Sequence, residues 1–193
     1  MKTLILSLGL AAVLPQVAAA QNVPAAVVAI VDADRLLTTC TACRTADAQL
    51  RSQKAAIDAR AASLQASLKT EYDSIDAAIK ALNGKEPDAA LKARATAFET
   101  KRQAAEQEIA SKNEALQSTN ANVQSQIAAK VNPIINAVMT QRGANLVMAK
   151  NATVSNSASL EITDAVLAEL NRQLPSVSVT PLPAASASRP TGR

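Results

Sequence analysis

Apolar residues recur at seven-residue spacing through the middle of this chain. Leu50, Ile57 and Leu64 form one series, and Ala61, Leu68, Ile75 and Leu82 form another offset by four, as the two core positions of a heptad repeat require. The spacing resumes with Leu91, Phe98 and Ala105, then Ile109, Leu116 and Val123. Between the two sets lies Asn83-Gly84-Lys85-Glu86-Pro87-Asp88, where Gly84 can take the left-handed conformation that ends a helix and Pro87 has the fixed φ suited to a first helical turn. The pattern predicts two long helices folded back on each other over 44–141, with the hairpin tip at 83–88. Lys54, Arg102 and many alanines fall in the seam, which is therefore expected to be weak and bendable.

The predicted arms are unequal. At about 1.5 Å per residue the outgoing helix to Leu82 is roughly 60 Å long and the return from Pro87 to Gln141 roughly 80 Å, so the excess must lie beside a base. Pro133 is expected to kink the return helix where arm becomes base, and Gly143 to cap it. The base is read in two parts, 21–43 and 142–174. Ala25 to Val31 is a β-branched run that predicts a buried strand, followed by a short helix through Arg35-Leu36-Leu37 capped by Asp32. Thr41 is the expected N-cap of the outgoing helix. Ala144 to Lys150 reads as a second strand and Ala152 to Ser155 as a weak third; Thr163 is the expected cap of a last helix, with Asp164 at its positive end. Two or three short strands do not make a stable sheet alone, so self-association is expected to bury Val27, Ile30, Leu146 and Met148. From Pro175 to Arg193 the Ser, Pro, Ala and Thr content predicts a disordered tail.

Composition changes the picture in three ways. Hydrophobic residues make up 48%, yet much of that is alanine and Tyr72 and Phe98 are the only aromatics, which favours a thin helix pair over a thick interior. Residues 1–20 combine Lys2, the apolar run Leu4 to Leu14 and Ala18-Ala19-Ala20, the pattern of a cleaved secretory leader and too short to span a bilayer. Cleavage after Ala20 places the mature chain outside the cytoplasm with 19 basic and 16 acidic side chains, a mildly basic balance that favours an anionic partner without identifying one. No nucleic-acid partner is expected.

Candidate chemistry is sparse. The chain has no histidine and no glycine-rich phosphate loop, so no metal, no cofactor and no catalytic group is assigned. Cys40 and Cys43 stand in a Cys-x-x-Cys spacing that suits either a local structural disulfide or a redox couple at a helix start. Lys92, Arg94, Lys101 and Arg102 are candidates for a basic patch that contacts a polypeptide client or an anionic membrane lipid, or for a solvated helix face. The stretch from Ala115 to Ala129 has no charge at all and suits loose contact with a client or with another helix.

The order of features resembles one known family. Val28-Ala29-Ile30-Val31-Asp32-Ala33-Asp34-Arg35-Leu36-Leu37 after a leader, the long hairpin, Gly143-Ala144-Asn145-Leu146-Val147-Met148 and Leu160-Glu161-Ile162-Thr163-Asp164-Ala165-Val166-Leu167 are together similar to the Skp, or OmpH-like, periplasmic outer-membrane-protein chaperones. The resemblance implies an α+β fold that is mostly α: a helical hairpin inserted between short strands of a small base, with three chains joining their strands into a β-barrel body. It also implies an ATP-independent holdase that keeps unfolded outer-membrane proteins soluble in the periplasm, between the arms of a homotrimer. Cys40 and Cys43 are not part of that pattern. The family's lipopolysaccharide-binding residues have no counterpart in the uncharged 115–129 stretch. A structural or adaptor rod and a thiol oxidoreductase are the alternatives.

Overall fold

A computed structural model describes residues 24–182. The predicted leader, its cleavage point and the tail beyond 182 lie outside the described residues. Strand β1 (Val28–Val31) leads into helix α1 (Ala33–Thr39), and helices α2 (Thr41–Ala81) and α3 (Ala89–Gln141) form the long hairpin. Strand β2 (Leu146–Ala149), 3₁₀ turns at Lys150–Ala152 and Ala158–Leu160, and helix α4 (Thr163–Gln173) complete the chain.

Each boundary has a local cause. The Asp32 side chain accepts a hydrogen bond from the Arg35 N–H and starts α1. The cap of α2 is Cys40 rather than Thr41: the Cys40 sulfur accepts from the Cys43 N–H, and Thr41 is already helical. At the tip Asn83 and Gly84 take positive φ values of 47° and 88°. Pro87 does not enter the first turn of α3, because Asp88 is the cap and accepts from the Leu91 N–H at 2.7 Å, leaving Pro87 just outside the helix. Gly143, with φ of 70°, ends α3, and the Ala144 N–H reaches back to the Met139 carbonyl. Pro133 lies inside α3, which runs through it as one helix of 53 residues.

The base is smaller and more open than a barrel. β1 and β2 pair in parallel, Val28 opposite Leu146 through Val31 opposite Ala149, with the whole hairpin as the crossover between them. On the other side of β1 a single parallel bridge joins Ile30 to Glu161, and the Ile162 N–H donates to the Ile30 carbonyl at 2.9 Å. The third pairing therefore falls at Glu161, and the expected strand at Ala152 to Ser155 is absent; Val154 projects fully into solvent. One chain closes no barrel. Of the four residues expected at an oligomer core, Ile30 is 2% exposed within its own chain, whereas Val27 and Leu146 are 50% and 44% exposed and Met148 is half-buried.

The core joins base and hairpin. Ala29 and Val31 from β1, Leu36 from α1, Ala42 and Ala46 from α2, Val123, Ile127, Ile134 and Val138 from α3, and Val166 and Leu170 from α4 form one buried cluster. The lower part of α3, beyond the reach of α2, is thus covered by α4, which accounts for the unequal arms. Thr163 does not cap α4; Ile162 occupies that position without a side-chain bond. Instead the buried Thr163 hydroxyl accepts from the Asp32 N–H at 3.0 Å and ties the end of β1 to the start of α4.

The chain does not become disordered at Pro175. Residues 175–182 leave α4 and run back up the hairpin toward its tip, with Val177 and Val179 packed on the core cluster. Two facts overrule the composition. Val177-Ser178-Val179-Thr180 alternates as a strand does, and the uncharged face of α3 supplies hydrogen-bond partners for its backbone.

Candidate functional site

Only two helices face each other along the arm, so the seam that would be sealed in a larger bundle stays open on one side. The residues of the predicted series all turn inward, but Leu64, Leu68, Phe98 and Ile109 are only half-buried, and only Ile57, Ile75, Ala105 and Val123 are closed off. The half-buried set, with Ala61 and Tyr72, floors a groove of about 690 Å³. Tyr72 and Phe98 meet across the arms with ring centroids 6.1 Å apart and tilted planes, and Tyr72 remains 55% exposed. Charged side chains such as Lys69, Asp73, Arg102 and Glu106 line the same groove.

The groove rim is neutralised by its own pairs. Arg60 of α2 donates two hydrogen bonds to Glu108 of α3, at 2.8 and 2.9 Å. Those bonds raise the guanidinium pKa and hold the Glu108 carboxyl below the usual range. Lys101 reaches Glu71 across the arms at 2.8 Å, and Arg94 donates to the Ser74 hydroxyl at 2.7 Å. Lys92 pairs with Glu86 at 2.6 Å, and Arg102 lies between Glu99 and Glu106. The four cations proposed for a basic patch are therefore not brought together as a free one. Lys101 and Arg94 staple one arm to the other, Lys92 ties the tip, and Arg102 alone also lines the groove.

Cys40 and Cys43 are joined as a disulfide inside the base cluster, 0% and 6% exposed. A redox couple needs a sulfur that a partner can reach, and these are covered. Among the described residues no group of three or more His, Cys, Asp or Glu side chains is placed to hold a metal ion, and no helix is long and apolar enough to cross a membrane.

A family model for outer membrane protein (OmpH-like) matches residues 27–170, most of the chain, from β1 through the greater part of α4. The chain belongs to the OmpH-like family. No curated protein matches it. A crystal structure of a "putative outer membrane chaperone (OmpH-like)" from Caulobacter crescentus CB15 superposes with a TM-score of 0.70 at 18% identity, covering 84% of this chain and 94% of that one. At that identity the likeness establishes a shared OmpH-like fold. The match ends at residue 170, so the segment laid along α3 after α4 belongs to the part of the chain the family model does not describe.

The sequence pointed to the seam residues but not to their openness, because heptad spacing says which way a side chain faces and not how many helices face it. It also missed the polar ladder on α3. The signal was present: Ser118, Asn122 and Gln126 are spaced four apart within the uncharged stretch and so share one helix face.

Proposed function

We propose that this OmpH-like chain is a non-enzymatic, ATP-independent holdase of the periplasm, exported with loss of residues 1–20, that shields unfolded outer-membrane proteins between its helical arms. The single observation that carries this reading is the open arm groove: about 690 Å³, floored by Leu64, Leu68, Tyr72, Phe98 and Ile109 and bordered by charges that are already paired. Such a surface offers apolar contact to many sequences and strong binding to none. Release without nucleotide hydrolysis requires weak individual contacts, and several arms acting on one client restore avidity.

The arms are brought together by the base. Val27 and Leu146 are exposed beside a parallel pair of four-residue strands, too small a sheet to stand alone. Joining these edges in a homotrimer buries them and sets three arms around a common space. Native mass measurement checks this directly: three chains are expected, and a monomer or dimer removes the cavity.

Light scattering of a denatured outer-membrane barrel protein, diluted with and without the mature chain, tests the function. Suppression of scattering is expected, weakened by Leu68→Ser and Phe98→Ser in the groove. An unchanged scattering trace overturns the holdase. The alternative of a docking rod draws on the cross-arm pairs Arg60–Glu108 and Lys101–Glu71, which would stiffen the hairpin; exposed pairs of this kind contribute only about 0–1 kcal/mol each.

A further inference from the structure

The C-terminal segment lies on α3 through its backbone. Gln126 both accepts from the Ser178 N–H at 2.9 Å and donates to the Ser178 carbonyl at 3.0 Å. Asn122 donates to the Thr180 carbonyl at 3.0 Å, and the Ser118 hydroxyl accepts from the Leu182 N–H at 3.1 Å. From α2, Gln53 donates to the Val179 carbonyl at 3.1 Å. Every one of these bonds ends on a main-chain atom of the segment. Its own hydroxyls, Ser178 and Thr180, bond to each other instead.

The spacing explains why a helix can read an extended chain here. Four residues of helix advance about 6 Å, and two residues of strand advance roughly 6.6 Å. Positions 126, 122 and 118 therefore keep step with 178, 180 and 182. Between these contacts the alternate residues turn inward. Val177 and Val179 pack on the core cluster, and Pro181 lines a cavity of about 350 Å³ with Ile57, Leu116 and Thr119. The partners on both helices are uncharged, so the site asks its occupant for main-chain amides and for apolar residues at every second position, and for nothing else.

We propose that this face of the hairpin is a binding site for an extended, unfolded polypeptide with apolar residues at alternate positions, and that residues 175–182 occupy it in the resting chain as a built-in stand-in. Alternation of that kind is the pattern of a membrane-spanning β-strand. The identity of the client rests on the holdase reading above; the site and its masking do not. A client strand displaces the segment and takes over its main-chain bonds, so capture begins with exchange of one extended chain for another.

The test uses a fluorescein-labelled peptide with the sequence of residues 175–182, followed by polarisation. The full mature chain carrying Val177→Asp and Val179→Asp, which loosen the segment, is expected to bind it about tenfold more tightly than the unaltered chain. A peptide of permuted sequence that keeps apolar residues at alternate positions should bind equally. N-methylation at the amides equivalent to Ser178 and Leu182 should weaken binding about tenfold, since it removes both donated bonds. Equal binding to masked and loosened chains overturns the masking, and indifference to N-methylation overturns the backbone reading. A second measurement needs no substitution: amide exchange at Ser178 and Leu182 of the unaltered chain should accelerate when a permanently unfolded polypeptide is added, and unchanged rates overturn the exchange. Peptide capture without suppression of aggregation would remove the holdase and leave the site; suppression without capture would do the reverse.

Discussion

Thr163 is the residue at which the observed role and the role expected from sequence make opposite demands. As an N-cap it would be replaceable by Asp, which caps at least as well. In the structure it is 1% exposed, and its hydroxyl accepts from the Asp32 N–H at 3.0 Å. Thr163→Val keeps the shape and removes the acceptor, leaving a backbone donor without a partner. The cost is expected to be about 1–3 kcal/mol. At this chain length each kcal/mol moves Tm by roughly 2–4 °C. Thr163→Asp should be worse, by roughly 3 kcal/mol or more, because it places a carboxylate in a closed site between Asp32 and Asp164. Burial raises the pKa of the introduced carboxyl, so this deficit should shrink as pH falls and the group takes up a proton. Urea unfolding at fixed protein concentration measures both, since association would otherwise shift the midpoint. Amide exchange at Asp32 localises the effect. A Thr163→Asp chain as stable as the parent, or unchanged Asp32 protection in Thr163→Val, would refute the tie between β1 and α4.

Leu170→Ala, at a fully buried position in α4, should cost about 2–5 kcal/mol in urea unfolding, whereas Leu82→Ala beside the tip should cost clearly less, since Leu82 is only half-buried. Glu169 is held at a pKa of about 2 by hydrogen bonds from Arg172 and then Gln173, and Glu161 and Glu108 are lowered by bonds from Lys150 and Arg60. A lowered carboxylate pKa stabilises the fold above its unfolded value near ~4.3, and that contribution is lost as pH falls through the folded value. The urea midpoint should therefore decline below about pH 4.3, with a shallower decline in Glu169→Gln. The double change Cys40→Ser, Cys43→Ser should lower Tm yet leave suppression of aggregation intact; loss of suppression with the fold retained, by circular dichroism, would give the sulfurs a functional role.

Much of the architecture was legible because each helix carries its own signal. Heptad spacing gave the arms, Asn83-Gly84 the turn, and Gly143 the end of α3. What failed were assignments that depend on partners distant in sequence. Thr41 and Thr163 have the chemistry of caps, but a sulfur three residues before Cys43 and a backbone amide at Asp32 decided their surroundings. Composition predicted disorder after Pro175 because proline, serine and threonine lack bulk, yet the partners for that segment lie 52 to 64 residues earlier on α3. The cross-arm partners of two basic candidates were hidden for the same reason, since Glu71, which pairs with Lys101, and Ser74, which accepts from Arg94, sit on the opposite arm.

The placement of the hairpin between the two strands also sets an order of events. Val27 and Asn145, which clamp the start of the parallel pair, are 118 residues apart in the chain. Direct closure of so long a loop is slow, because its entropy must be lost before any contact compensates. A tight turn at Asn83-Gly84 lets α2 and α3 zip from neighbours in sequence and carries the two strands to each other as it finishes. Pairing of β1 with β2 is then a report that the arm is complete, and a chain with a defective hairpin does not bring its two strands together.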